Sequence, residues 1–477
     1  MYFTLLSQQQ EIVLNKILSK YSNIEIIIAQ IVQQGGKPYL VGGTVRDLCM
    51  NTAEKNMVKD LDIEVHGLSI EKLAAVLGQF GIVHKVGKSF GVLRIGSLNV
   101  DWSLPRVDLT AGRHPEVKID ENLSLQKACM RRDLTMNAML IDLQKKEIID
   151  FFDGRKDIKN KTLKTPDKEL FKEDPLRFFR VAQYVSRFNM LPDKELEQLC
   201  TEMTLEGIAV ERIQEEFKKM LLLSTKPSQG IRWIGCINRL SEILPELHAI
   251  IGIKQDTQWH PEGDVFEHSM QALDVAASIT IEDNEKKLQL LLAALCHDLG
   301  KVNTTEEKLD KITSYNHEIT GVPIAKNLLK KFSSKKSMIS PVLTLIRYHM
   351  MPSQLIRNNS TPAAYKRLAV KLAPHTNMKM LSILHYADKA GRAPIGTEYE
   401  EKLIESYDSF VERAKNVGVF YAPEKAIVKG KDLLSWCSSG PIFKKILEKS
   451  YQLQIEKKIK DKDQILKLIK KSFKLSG

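Results

Sequence analysis

The stretch Lys59-Asp-Leu-Asp-Ile-Glu64 sets two carboxylates, Asp60 and Asp62, one residue apart in a β-rich run. Side chains at i and i+2 of an extended strand leave the same face, so the two acids project together while Leu61 and Ile63 turn to the core. Neighbouring carboxylates repel unless a cation lies between them, and Mg²⁺, with its preference for oxygen ligands, is the natural occupant. Upstream, Val41-Gly-Gly-Thr-Val-Arg-Asp47 turns a buried strand into a helix. Gly42 and Gly43 let bare backbone N–H groups approach a ligand. The helix expected from about Thr44 adds its positive end, and Arg46 adds a charge in the first turn. Such a cradle suits a triphosphate, although it matches neither the P-loop nor the dinucleotide-binding glycine pattern.

Two further constellations could do chemistry. In Lys172-Glu-Asp-Pro-Leu-Arg-Phe-Phe-Arg180, Asp174 and Arg177 are three apart and, on a helix, face one groove. A carboxylate that accepts beside a guanidinium that donates can read the Watson–Crick edge of a base. Farther on, His297 and Asp298 sit late in the apolar run Leu290-Leu-Leu-Ala-Ala-Leu-Cys-His-Asp298. Burying them is costly unless a metal compensates their desolvation. His268, His317, His349 and Asp388 supply further donors, and an imidazole-rich set suits Mn²⁺, Ni²⁺, Co²⁺ or Fe better than Mg²⁺. His260 and His385 read as bystanders.

These groups need two kinds of scaffold. From about residue 24 to 160, short β-rich runs such as Lys37-Pro-Tyr-Leu-Val41 alternate with helical stretches; beyond Glu173 the apolar periodicity is helical throughout. The reading is an α/β head over 1–160, a helical neck and body over 161–250, a helical metal-binding domain over 251–400, and a basic helical tail over 401–477. A chain of 477 residues is too long for one core. It has no apolar run of membrane-spanning length and no signal-peptide pattern, and its six cysteines are scattered without a C-x-x-C pair, so a reducing cytoplasm is the expected compartment. A net charge of +12 favours a polyanionic partner.

The ordered motifs from 37 to 222 resemble the class II transfer-RNA nucleotidyltransferases (CCA-adding enzymes) and the related bacterial poly(A) polymerases. The fold this implies is an α/β, polymerase beta-like nucleotidyltransferase head followed by an elongated all-α body. The resemblance implies that Asp60 and Asp62 bind Mg²⁺, with Asp101 as the third acid on a later strand. In Arg131-Arg-Asp-Leu-Thr-Met-Asn137, Arg132 would touch the triphosphate, Asp133 the ribose, and Asn137 would brace the site. Asp174 and Arg177 would select CTP and then ATP, with Arg180 helping to hold the nucleotide. Gln183 stands where many relatives carry another arginine. Asp150 and Gly154 read as a structural turn, and Glu211, Arg212, Glu215 and Glu216 as struts of the neck.

The order of His268, His297-Asp298 and Asp388 resembles the HD phosphohydrolase superfamily. There those four residues would ligate one divalent ion, with His317 and His349 available for a second, and the reaction would be phosphate-ester hydrolysis, including that of 2′,3′-cyclic phosphates. The partners implied are tRNA, CTP and ATP, with no membrane. The expected activity is complete CCA addition, and the substantial Arg106–Ser124 loop favours it. The rivals are poly(A) polymerisation, addition of CC or A alone, and an HD phosphohydrolase with a nucleotide-sensing head.

Overall fold

The computed structural model describes residues 2–53, 61–86, 91–96, 98–108, 117–308, 311–392, 398–434, 436, 440–456 and 458–473. The chain divides into two compact units, one of 1–224 with 229–239 and the other of 225–228 with 240–477.

The first unit is built on an eight-stranded sheet. In chain order the strands are β1 (Phe3–Leu5), β2 (Lys37–Val41), β3 (Leu61–His66), β4 (Val83–Val86), β5 (Val92–Ile95) and β6 (Val100–Ser103). The hairpin β7 (Arg106–Asp108) and β8 (Val117–Ile119) stands apart, and β9 (Leu140–Asp142) and β10 (Glu147–Ile149) complete the sheet. Its order is β1-β10-β9-β2-β3-β6-β5-β4, antiparallel except where β3 runs parallel to β6. The alternation expected for Leu61 and Ile63 holds, and both are fully buried with Val65 and Trp102. Helices Gln8–Leu18, Ile24–Gln33 and Ile70–Gly78 add Leu14, Ile27, Ile31 and Leu73 to the same core. Ser7 starts the first of these with a reciprocal capping box to Gln10.

After β10 the first unit is mainly helical, with one short parallel strand pair, Thr162–Leu163 beside Leu191–Pro192. Helices Leu176–Phe188 and Val210–Leu223 pack together, with the Phe179 and Phe217 rings 5.6 Å apart. Among the described residues, the second unit is helical apart from a hairpin, Thr305–Lys308 with Lys311–Ser314. Thus the body is not wholly α: Thr, Ile and Ser in 311–314 pair as a strand where only helical periodicity was expected. The basic tail has its own small core, in which the Lys462–Phe473 helix buries Ile465 and Ile469 against Val428 and Leu433.

Candidate active site and metal centre

β2 ends at Val41, and Gly42, with φ +73°, turns the chain into helix Gly43–Cys49. That left-handed backbone favours glycine. A side chain at Gly42 would also stand 3.5 Å from Asp62 Oδ2 and 3.6 Å from Arg132 Nη1, inside the site. Asp62 lies on β3 directly opposite Asp101 of β6. Cα partners of neighbouring strands project to one face, so the two carboxylates stand side by side. Asp60 lies outside the described residues, as do residues 109–116 of the Arg106–Ser124 loop, whose described ends pair as β7 and β8.

A cavity of about 530 Å³ is lined by Gly42, Gly43, Arg46, Asp62, Arg132, Asp133, Asn137, Asp174, Arg177 and Arg180. These are all the expected nucleotide-site residues apart from the two acids just treated. Asp101 lines an adjoining cavity of about 300 Å³ that shares Asp62 and Arg132. Arg94 Nε donates to Asp101 Oδ1 at 2.6 Å, so this acid already has one counter-charge.

Inside the large cavity the roles are more differentiated than the motifs suggested. Arg46 is buried, not a charge held out toward phosphate: Nε and Nη2 lie 2.9 and 2.8 Å from Asp47 Oδ1, and Nη1 donates to Asn137 Oδ1 at 2.9 Å. Its guanidinium carbon stands 4.7 Å from the Phe188 ring centroid. Arg46 is therefore a strut joining the Gly-Gly turn to Asn137. Asn137 extends the chain, donating to Asp133 Oδ1 at 2.9 Å and to Tyr184 Oη at 3.2 Å. Asp133 Oδ2 accepts from Arg180 Nε at 2.6 Å. Burial opposes ionisation of Asp133, but the Arg180 charge and the Asn137 hydrogen bond outweigh it and bring its carboxyl down to about 2.

Asp133→Asn is accordingly expected to destabilise the first unit. With the folded carboxyl at about 2 and an unfolded one near 4, linkage assigns roughly 2 kcal/mol to ionised Asp133. A depressed carboxyl contributes its stability above the unfolded value. The contribution is present at neutral pH and is lost as pH falls from about 4 through about 2. Urea melts at pH 7 and pH 3 check this: the variant should unfold at lower urea at pH 7, and the gap should narrow at pH 3.

The i, i+3 spacing of Asp174 and Arg177 predicts a shared helix, but Asp174 lies ahead of it. The helix begins at Leu176 behind Pro175, and Asp174 Oδ1 accepts from the Leu176 N–H at 3.2 Å. A residue before proline is steered away from helical geometry, which accounts for the difference. Asp174 Oδ2 pairs with Arg212 Nη2 at 2.9 Å, so Arg212, read as a neck strut, belongs to the cavity. Arg177 Nη1 and Nη2 donate to the carbonyls of Leu170 (2.8 Å) and Arg131 (2.5 Å), which fix its plane. Gln183 also lines this cavity, and its Nε2 is buried without a hydrogen-bond partner.

Glu64 was missed although its signal was present, one more i+2 step along β3. It is buried beside His66 Nε2 (2.9 Å) and 3.6 Å from Arg132 Nη2. Burial works against its charge, but the His66 hydrogen bond and Arg132 hold the carboxyl below its ordinary value. It steers Arg132 toward the Gly-Gly turn.

The second unit gathers the other six donors. His268 comes from helix Val265–Ser278, His297 and Asp298 from the end of Asn284–Cys296, and His317 from the start of His317–Leu329. His349 caps Lys336–Tyr348, and Asp388 lies on Met378–Ala390. All six are buried. His268, His297 and Asp298 form one potential metal-binding set, and Asp298, His317 and His349 a second, joined through Asp298. Asp388 Oδ1 lies 3.2 Å from His268 Nε2.

The chemistry of these donors fits a divalent ion. Nδ1 of His297, His317 and His349 faces the carbonyls of Ala294, Ser314 and Ile346 at 2.8, 2.7 and 2.7 Å. A carbonyl only accepts, so each Nδ1 carries a proton and each ring turns its other nitrogen, Nε2, inward. Nε2 of His317 and His349 are 3.1 Å apart, as are those of His268 and His297, so the four converge as the ligands of a divalent ion would. Burial penalises the charges of Asp298 and Asp388, yet His297 and Lys301 beside the first, and Arg392 and Lys389 beside the second, hold both far below the usual carboxylate range. His260 is not a bystander. Glu262 Oε1 stands 2.9 Å from His260 Nδ1 and 2.7 Å from His268 Nδ1, linking it to the ligand set. His385, the other expected bystander, is buried without a hydrogen-bond partner for either ring nitrogen.

Residues 38–164 match the family described as "Poly A polymerase head domain", and residues 265–388 match the "HD domain". Fold and family matches thus define a nucleotidyltransferase head followed by an HD domain. The chain is 32% identical over 374 residues to the "Multifunctional CCA protein" of Pasteurella multocida (strain Pm70), covering 75% of this chain and 84% of that one. It belongs to the family of multifunctional CCA proteins. The same fold is seen in a solved structure described as a complex of CCA-adding enzyme with CTP, at TM-score 0.60 and 17% identity over 99% of both chains. It recurs in the Thermotoga maritima CCA-adding enzyme complexed with tRNA_CCA, at TM-score 0.55 and 18% identity over 99% of this chain and 100% of that one. Among the described residues no helix is long and apolar enough to cross a membrane.

Proposed function

We propose that this protein completes the CCA end of tRNA from CTP and ATP without a nucleic-acid template, and that its HD centre hydrolyses phosphate esters, 2′,3′-cyclic phosphates among them. The observation that carries the first part is the single cavity onto which the Gly-Gly turn, Asp62, Arg132, Asp133, Asp174 and Arg177 converge.

On this reading Gly42, Gly43 and Arg132 receive the triphosphate, Asp133 the ribose, and Asp174 with Arg177 the base. A guanidinium has five N–H donors, and two of those of Arg177 go to carbonyls, so donors remain for a base. Cytosine and adenine both present an exocyclic amine beside an accepting ring nitrogen. That pattern complements the Asp174 carboxylate and the Arg177 fork, whereas uracil and guanine present a carbonyl beside an N–H. Asp60 and Asp62, with Asp101, would hold Mg²⁺, which when bound makes the primer 3′-hydroxyl more acidic and offsets charge on the departing pyrophosphate. The chain's own groups orient the α-phosphate for in-line attack, where positioning supplies much of the acceleration. His268, His297, Asp298, Asp388, His317 and His349 would hold ions such as Ni²⁺ or Mn²⁺, whose Lewis acidity polarises a phosphate ester. The +12 net charge favours tRNA, and the basic tail of 401–477 is assigned to gripping it. The cytoplasm is the assigned place of work.

Incubating tRNA that ends at its discriminator base with CTP and ATP tests the proposal. Addition of three nucleotides, C, C and A, is the expected result. A long A tail, or arrest after two C residues, would move the activity to a sister reaction.

A further inference from the structure

Most cations that line the nucleotide cavity are already neutralised. Arg46 lies 2.8 Å from Asp47, Arg180 2.6 Å from Asp133, Arg212 2.9 Å from Asp174 and Lys219 2.8 Å from Glu216, while Arg132 has Glu64 at 3.6 Å. Arg177 gives two N–H groups to carbonyls. Arg187 lines the same cavity and, among the described residues, makes no ion pair and no hydrogen bond. Its guanidinium carbon stands 4.8 Å from the Phe188 ring centroid. Burial first, and the neighbouring Arg46 charge second, hold it below the ordinary arginine value, and Asp47, Tyr184 and Glu216 offset only part of this. A half-buried guanidinium without a partner is costly to a fold, so its counter-charge belongs to what the cavity binds.

Its place along the helix identifies the part of a nucleotide that it meets. On Leu176–Phe188, Arg177, Arg180, Tyr184 and Arg187 recur at three- and four-residue steps, so they share one face. At the start of that face Arg177 stands at the proposed base site, and Arg180 then donates to Asp133, the proposed ribose contact, at 2.6 Å. Tyr184 accepts from Asn137 at 3.2 Å, and Asn137 accepts from Arg46 at 2.9 Å. Arg46 supports the Gly-Gly turn: its Nη2 is 3.3 Å from the point that a Cβ on Gly43 would occupy. Arg187 ends the row, and the Phe188 ring against which it packs also holds Arg46, at 4.7 Å. The helix face thus runs from base through ribose to phosphate. At about 1.5 Å per residue, Arg187 lies about 15 Å beyond Arg177, the span of an extended nucleoside triphosphate.

We infer that Arg187 binds the terminal phosphates of the incoming nucleotide and completes the triphosphate site begun by the Gly-Gly turn. The inference rests on the reading of this cavity as the nucleotide site. CTP and ATP end in the same phosphates, so Arg187 serves both alike and takes no part in choosing the base.

Binding of CTP, ATP and cytidine monophosphate to the full-length protein tests this, with two variants. Arg187→Met keeps a stem over Phe188, and Arg187→Lys keeps a charge. A hydrogen bond to a charged group is worth about ten- to a hundredfold in affinity. Arg187→Met should therefore weaken CTP and ATP by about that factor and leave cytidine monophosphate unchanged. Inorganic pyrophosphate should inhibit incorporation correspondingly less, Arg187→Lys should recover part of the loss, and KM for tRNA should not move. Equal weakening of triphosphate and monophosphate would make Arg187 a prop of the neck and overturn the assignment. So would unchanged CTP binding, or a rise in KM for tRNA alone, which would give Arg187 to the RNA backbone. If the parent protein binds CTP but adds nothing to tRNA, the proposed activity fails, and the comparison of CTP with the monophosphate still decides the role of Arg187. A parent protein that binds no CTP overturns both.

Discussion

Asp62→Asn should lower incorporation of CTP into tRNA by about 10³-fold or more, equivalent to about 4 kcal/mol of transition-state stabilisation, while hydrolysis of a cyclic phosphate continues. Asp62 and Asp101 are Cα partners on parallel strands and stand beside one another on one face. Arg94 offsets part of the charge of Asp101, and a divalent ion shared by the two acids would offset more of the repulsion between them. The isosteric amide removes one of the two charges and keeps the shape. Asp62→Asn should therefore lose the added stability that magnesium gives the parent, which melting with and without magnesium measures. A purely structural Asp62 predicts the reverse: a lower melting temperature whatever the magnesium, with activity lost in proportion to folding. Incorporation that survives the change would remove Asp62 from the metal site. Hydrolysis that vanishes with it would mean that the two activities share one centre.

Local order was what the sequence made legible. The alternation about Asp62, the glycine turn ahead of it and the His297-Asp298 pair in an apolar run each depend on a periodicity of two or on desolvation, and both can be judged from neighbours. Pairings across long separations were not legible. Arg212 reaches Asp174 from a helix that sequence treats as a separate amphipathic element, and Phe188 stacks on Arg46 from the end of helix Leu176–Phe188. The burial of Arg46 follows from that packing, so its motif position alone could not distinguish a phosphate ligand from a strut. Two misses were avoidable. Glu64 continues the i, i+2 series, and Pro175 signals that Asp174 stands ahead of its helix. Glu262 is a third kind: a carboxylate six residues before His268 shows no period, and only the fold brings its Oε1 to 2.7 Å from that ring.

The other large effect belongs to Asp298. Its two oxygens look toward different histidines: Oδ1 lies 3.2 Å from His317 Nε2 and 3.7 Å from His349 Nε2, while Oδ2 lies 3.3 Å from His297 Nε2 and 3.6 Å from His268 Nε2. No other ligand candidate among the described residues is common to both potential sets. Asp298→Ala should therefore abolish bound Mn²⁺ or Ni²⁺ at both positions and lower phosphate-ester hydrolysis by roughly 10³-fold, as expected when a Lewis acid is removed. His349→Gln touches one set only and should cost one ion, leaving the other. Metal analysis after dialysis and calorimetric titration with Mn²⁺ separate the two cases. CCA addition should persist in both variants, since the nucleotide cavity is lined wholly by residues of the first unit. If Asp298→Ala lost only one ion, its carboxylate would serve one set, and the other would have to be completed by Asp388 or Glu262. If both variants lost both ions, the two sets would be one site with six donors, and the closeness of His317 to His349 would reflect a single coordination sphere.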